Sequence, residues 1–283
     1  MAQTFVKAAN EVLDYQTNWS DWLGADTISS STWTADTGLT VDSDSNTTTT
    51  ATVWLSGGTA SEWDLKRYAV TNQIVTAAGR TAERIIYVAI PPAVQYCTLA
   101  EVKNHLDISS DTDDYLLWVA VCQAQAFIDA QTGRTFEAAS DTAKTFDAVR
   151  DVDGRLLYVD DLASITSVTN GDGTTVTSGQ YTTEPRRVTP YYAIRLLSSS
   201  GVSWTYTTDP EGAISITGKW AYSVSVPADI VQACKRLAAW LYRQRENRTG
   251  DEDRAIIAGS ATILPSQVPS DVMQILRSKK RIS

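Results

Sequence analysis

A proline pair, Pro91-Pro92, divides this chain into two stretches with different secondary-structure patterns. Before it, residues 11–90 read as short strands rich in Thr, Ser and Val, with no long helical period. Asn18-Trp19-Ser20-Asp21-Trp22-Leu23 alternates polar and aromatic residues. Ala51–Leu55, Tyr68–Val75 and Arg84–Ile90 are β-branched or aromatic, and Asp36-Thr37-Gly38, Gly57-Gly58 and Ala78-Gly79-Arg80 supply turns between strands. Short strands with no helix between them predict an antiparallel sandwich of the immunoglobulin-like kind. Two successive prolines cannot continue a ladder, so they are expected to act as a short stiff linker.

Beyond the prolines the periodicity changes. Thr98 with Glu101 three residues later forms a capping box, and Leu99, Val102 and Leu106 share a face. A second helix opens in Asp111–Asp114, where carboxylates suit the positive end of the helix dipole. It carries Leu117, Ala120, Val121, Ala124, Phe127 and Ile128 at three- and four-residue spacing, and Gly133 caps it. Strand language returns over residues 144–222, with Asn170-Gly171-Asp172-Gly173 as a hairpin turn. Pro227 then opens a third helix whose apolar stripe is Ile230, Cys234, Leu237 and Leu241. The expected fold class is α+β. A sandwich at 1–92 precedes a helical domain at 93–248, with helices near 98–106, 113–132 and 227–248 around the β-rich insert. An extended tail follows at 249–283.

Charge narrows the partners. With 24 basic and 33 acidic side chains the net charge is −9 and the pI about 4.7. Residues 1–97 hold 5 basic and 10 acidic groups, residues 98–248 hold 14 and 19, and residues 249–283 hold 5 and 4. Tight binding to a nucleic-acid backbone needs a Lys/Arg surface, which this chain lacks apart from Arg277-Ser278-Lys279-Lys280-Arg281 at its end. Residues 1–9 have no apolar leader segment, and no apolar run approaches the roughly 20 residues that cross a bilayer. A soluble protein without membrane contact is expected. Cys97, Cys122 and Cys234 form neither a disulfide framework nor a zinc pattern and read as small buried hydrophobes.

No catalytic signature is present. There is no phosphate-binding loop, no His-Glu-x-x-His, no Gly-x-Ser-x-Gly and no Cys-x-x-Cys. His105 is the only histidine, so a multi-histidine metal site is ruled out. Asp42-Ser43-Asp44-Ser45-Asn46 resembles the start of a calcium loop. Thr47 stands where that loop needs glycine and Val53 where it needs glutamate, so a polar loop is the reading. Asp151, Asp153, Asp160 and Asp161 form an acidic cluster. Neighbours on a strand point to opposite faces, so Asp160 and Asp161 read as a solvated face, not as a paired-carboxylate site. No enzyme activity, cofactor or metal is expected.

The order of motifs from Cys97 to Arg248 resembles the gp6-like head-tail connector family of tailed bacteriophages. Thr98–Leu106, Asp113–Leu117, Thr132–Phe136, Ser164–Val168, Gln180-Tyr181-Thr182, Val226–Ile230 and Leu241–Glu246 carry that resemblance. The first domain looks like the immunoglobulin-like module of phage fiber-tail adaptor proteins, through Trp19–Leu23, Val53–Gly58 and Thr76–Thr81. These resemblances imply a structural virion protein: a head-to-tail adaptor forming an oligomeric ring, commonly a dodecamer, beneath the portal. The ring would continue the DNA channel, with DNA only as passing cargo, and meet a downstream tail or nozzle protein. The sandwich would face outward for tail or fiber attachment. The alternative is an immunoglobulin-like binding module for a tail fiber or host surface on a minor tail protein.

By the same resemblance the tail reaches the portal. Its candidate contacts are Ile256, Ile257, Ile263, Leu264, Val272, Ile275, Leu276, Arg277, Lys279, Lys280 and Arg281. A tail that packs back on its own domain is the competing reading. Asp151, Asp153, Asp160 and Asp161 are the candidate channel-facing acids, since like charge denies DNA a site for counterion release.

Overall fold

The computed structural model describes residues 3–59, 66–246, 256–258, 261–263 and 268–281, without the side chains of 245–246, 256–258 and 261–263. The chain divides into two compact units. One is 1–123 with 241–246, the other 124–240 with 247–283. Among the described residues no helix is long and apolar enough to cross a membrane.

The first unit begins with β1 (Thr4–Val6), β2 (Leu13–Asn18) and a one-turn helix, α1 (Ser20–Leu23). Five strands follow: β3 (Ile28–Ala35), β4 (Leu39–Asn46), β5 (Thr50–Gly57), β6 (Arg67–Thr76) and β7 (Thr81–Ala89). They form two sheets, in the orders β1-β7-β6-β3 and β2-β5-β4. All neighbours are antiparallel except β1, which runs parallel to the end of β7. Alternation builds the interior. Ala51, Val53 and Leu55 from β5 and Tyr68, Val70 and Ile74 from β6 are buried in one cluster with Trp19 and Trp33. Asn72 is a polar member of that inward row, which ends on buried Thr76. Its Oδ1 accepts from Trp19 Nε1 at 2.9 Å and its Nδ2 donates to Ser31 Oγ at 2.8 Å, which offsets the cost of burying an amide.

Two local expectations fail here. Trp19–Leu23 is not strand: Trp22 and Leu23 amides donate to the Trp19 carbonyl, and the turn drives Trp19 and Leu23 inward. Asp42–Asn46 is not loop: it belongs to β4, which pairs with β5 through a bulge between Val41 and Ser43. Backbone pairing with β5 overrides the poor strand preference of Asp, Ser and Asn, whose side chains stay in water.

After β7 come α2 (Leu99–Leu106) and α3 (Asp114–Thr132). The capping box forms as read: Glu101 N–H donates to Thr98 Oγ1 and Thr98 N–H to Glu101 Oε2, at 3.2 and 2.7 Å. Pro91-Pro92 lies inside the first compact unit and not at its edge. The start of α3 packs Trp118 and Cys122 on Ala89, with Val6, Tyr115 and Val119 around them. Burial pushes the Cys122 thiol up to about 12. All three cysteines are buried, and none is in a disulfide.

The second unit holds two sheets. In one, β8 (Thr142–Phe146), β11 (Ser164–Thr169) and β14 (Ile214–Lys219) are ordered β11-β14-β8. In the other, β9 (Val152–Asp153), β10 (Leu156–Leu162), β12 (Tyr181–Glu184) and β13 (Tyr191–Leu196) are ordered β12-β13-β10-β9. Leu157, Leu162, Val168, Ile194, Leu196, Ile214 and Ile216 form their shared core. The Asn170–Gly173 turn closes with Asn170 N–H donating to Thr174 O at 2.8 Å. Gly171 is required there, since a Cβ would stand 2.4 Å from Thr205 O. Trp204-Thr205-Tyr206 joins no strand and makes one isolated bridge, Tyr206 with Gly171. The last helices are α4 (Ala228–Glu246) and α5 (Ser270–Lys279), and between them β15 (Ile256–Ala258) pairs with β16 (Ala261–Ile263).

Candidate functional site

The residues singled out in the sequence meet in the second unit, at the C-terminal helix and the cleft beside it. Helix α5 presents Val272, Ile275 and Leu276 along one face through their three- and four-residue spacing. Val272 is fully buried and Leu276 is 2% exposed. As contacts for another protein these two are corrected: both are already buried within the chain itself. The reading in which the tail packs back holds for this helix. Asp271 pairs with Arg236 at 2.6 Å and Lys279 with Asp229 at 3.0 Å. The first residues of α5 therefore meet the middle of α4 and its last residues meet the start, so the two helices run antiparallel. Burial opposes the Lys279 charge, but its bonds to Asp229 and Tyr222 outweigh that and raise its pKa. Its ammonium also lies 5.2 Å from the Tyr222 ring centroid.

Past α5, the Arg281 amide donates to Thr132 O at 2.9 Å, joining the end of α3. The Arg281 guanidinium reaches Asp160 Oδ1 at 3.2 Å, while Lys144 Nζ holds Asp160 Oδ2 at 2.9 Å. Arg134 pairs with Asp161 at 2.8 Å, each side chain 16% exposed. These groups line a cleft of about 290 Å³ walled by Trp220 and Asp129. The hydrogen bond from Lys144, helped by Arg281, holds the Asp160 carboxyl below the usual carboxylate range. The solvated-face reading is therefore corrected for Asp161, while Asp160 is ion-paired and still 47% exposed. Both carboxylates line the one cleft because the β10–β13 register breaks between Tyr158 and Leu162, which removes strict alternation. The lining holds three carboxylates, Asp129, Asp160 and Asp161, and three cations, Arg134, Lys144 and Arg281, with Asp160 taking two of the cations and Asp161 the third.

Asp151 and Asp153 do not join that cleft. Asp151 pairs with Arg150 at 3.2 Å and accepts the Asp147 amide at 2.9 Å. Asp153 is exposed on β9. Ile256, Ile257 and Ile263 lie in β15 and β16, where only the backbone is described, and Leu264 lies outside the described residues. Arg277 and Lys280 are at the exposed end of α5. No sequence signal paired Arg134, Lys144 and Arg281 with their acids, which stand 27, 16 and 121 positions away.

Aromatic side chains of the first unit are mostly structural. Trp19 and Trp33 are buried, and Trp22 is 36% exposed with the Arg80 guanidinium 4.4 Å from its ring. Arg80 also pairs with Asp26 at 3.0 Å. A hydrogen bond from the Thr76 side chain, with others from Thr27, Arg80 and Ala78, lowers the Asp26 carboxyl to about 2. His105 is exposed near the end of α2. Among the described residues no group of three or more His, Cys, Asp or Glu is placed to hold a metal ion.

Residues 7–89, most of the sandwich, match the family described as podophage GP4 fiber-tail adaptor protein gp77. The match is a likeness of the first unit to that family and spans less than a third of the chain. No curated protein matches the chain. Two gene transfer agent (GTA) structures are similar at 20% identity, covering 66% of this chain and 91% of theirs, with a TM-score of 0.41. One is the neck of an empty GTA particle computed with C6 symmetry and the other the virion of a native GTA particle. The secreted serine protease VesC from Vibrio cholerae matches at 10% identity, over 79% of this chain and 50% of that one, with a TM-score of 0.24. Superpositions this loose do not define the fold of this chain.

Proposed function

We propose that this chain is a structural head-to-tail adaptor of a phage virion. The match of residues 7–89 to a fiber-tail adaptor family carries the reading. In it, residues 1–92 are an attachment module for a tail or fiber protein. Residues 93–248 assemble a ring beneath the portal, of the dodecameric size that the connector resemblance implies, and continue the DNA channel. A downstream tail or nozzle protein meets the far side of the ring.

The portal contact falls to the stretch between α4 and α5, with Ile256, Ile257, Ile263 and Leu264, and to the basic end at Arg277 and Lys280. Val272 and Leu276 are already buried within the chain. If the β-rich insert lines the channel, Asp160 and Asp161 add no bare negative charge, because each is ion-paired. Repulsion of DNA would then rest on exposed groups such as Asp153 and on the net charge of −9.

Native mass of the full chain, alone and with its portal protein, tests the reading. A closed ring, or a ring formed only on the portal, supports it and gives the symmetry. A strict monomer that ignores the portal sinks it and leaves a lone attachment module. The portal contact is tested by replacing residues 256–264 with a Gly/Ser run of equal length, which spares α5. Undiminished portal binding by that variant overturns the assignment.

A further inference from the structure

The two flanks of the sandwich in the first unit differ. On one, β3 of one sheet runs beside β4 of the other. On the opposite flank, the edges of β7 and β2 stand apart across a groove of about 630 Å³. Gln16, Thr17 and Asn18 of β2 line it on one side, and Arg84, Ile85 and Ile86 of β7 on the other.

Among the described residues the β7 edge has no partner strand ahead of Tyr87. β1 pairs only with Tyr87–Ala89. The Tyr87 amide donates to Gln3 O at 2.9 Å, toward β1. Backbone groups on a strand alternate sides every residue, so the amides and carbonyls of Ile85 and Glu83 point the same way. Arg84 and Ile86 point the other way, into the ladder opposite Asn72 and Val70 of β6. Among the described residues no strand covers Glu83 and Ile85 on that side. The Ile85 side chain is 42% exposed beside this edge. An edge with unpaired amides and carbonyls next to an exposed apolar side chain is a template for one more strand.

The charge in the groove states what that strand should carry. Arg84 is the single charged residue lining it, on a chain of net charge −9. Its guanidinium lies 4.2 Å from the Trp19 ring centroid and donates to Asn18 O, so it is held across the groove by a ring and a neutral carbonyl. We propose that the open edge of β7, at Glu83 and Ile85, takes an extended acidic peptide strand of a partner protein, laid in line with β1, with a carboxylate on Arg84 and an apolar side chain against Ile85. The inference rests on the attachment role proposed for this unit and names its surface and mode.

The test uses the full chain and two synthetic nonapeptides. One alternates valine with glutamate and threonine, and in the other lysine replaces glutamate. Binding is measured by titration, and amide hydrogen exchange is read residue by residue. The expected result is saturable binding of the glutamate peptide, exchange slowed at least about tenfold at Glu83 and Ile85, and binding of the lysine peptide weaker by about tenfold or more. Arg84→Glu should invert the preference. Ile85→Pro removes an outward amide without touching the ladder to β6, and should abolish binding. Absence of binding, binding without protection at Glu83 and Ile85, or an unchanged preference in Arg84→Glu overturns the proposal. Full-strength binding of the tail-fiber protein by Arg84→Glu also overturns the edge, while leaving the attachment role standing. A wild-type chain that binds no fiber protein removes the attachment role instead, and the peptide result still decides the edge.

Discussion

The sandwich interior and the seat of the C-terminal helix are held by different forces. In the sandwich, aromatic and branched side chains from both sheets fill one core, and the fully buried amide of Asn72 is satisfied inside it by Trp19 and Ser31. At the seat, two buried side chains, Val272 and Leu276, are flanked by three ion pairs that remain 20–47% exposed. Apolar burial is indifferent to salt and to moderate acid. Exposed pairs are weakened by both. The C-terminal segment should therefore respond to solution conditions that leave the sandwich unchanged.

The largest effect should come from the sandwich. Trp19→Ala deletes a side chain that is 1% exposed and orphans the Asn72 carbonyl, so a loss of about 3–5 kcal/mol is expected in chemical denaturation. Trp19→Phe keeps the packing and should recover most of that loss. If the two variants are equally damaged, the hydrogen bond matters more than the core.

Next comes the seat. Leu276→Ala should cost about 2–4 kcal/mol locally and speed amide exchange across α5, with the sandwich amides unchanged. Equal acceleration in both places would mean that the two regions unfold as one.

Removing a charge should do less. Asp160→Asn breaks two pairs with a carboxylate that is 47% exposed, so no more than about 1 kcal/mol is at stake. Its pKa is lowered in the folded chain, so the contribution is present above the ordinary carboxyl value of about 4 and is lost as pH falls through the lower folded value. Exchange at the Arg281 amide should rise below about pH 4 and also in high salt at neutral pH. An Arg281 amide indifferent to both would show that the backbone bond to Thr132 alone secures the end of the chain.

The smallest effect concerns the thiols. The Cys122 pKa of about 12 leaves almost no thiolate at pH 8, so labelling in the folded chain should be slow for all three buried cysteines. Rapid labelling of Cys234 alone would reveal opening of the second unit.

The sequence by itself determined what neighbouring residues decide. The Thr98–Glu101 box, the start of α4 after Pro227, the Asn170–Gly173 turn and the inward rows of β5 and β6 depend on groups within a few positions of each other, so spacing suffices to read them. The burial of Cys122 and Cys234 followed from the apolar stripes of their helices. Tertiary structure alone decided the rest. Asp42–Asn46 is strand because β5 offers it a ladder, and Trp19–Leu23 turns inward because Asn72, 53 positions on, receives the indole. Asp160 and Asp161 share one cleft because β10 breaks register there, and the cations that neutralise them arrive from β8, the end of α3 and the end of the chain. The apolar stripe of α5 was legible. What covers it was not, because a stripe states that a face must be buried and carries no record of the surface that buries it.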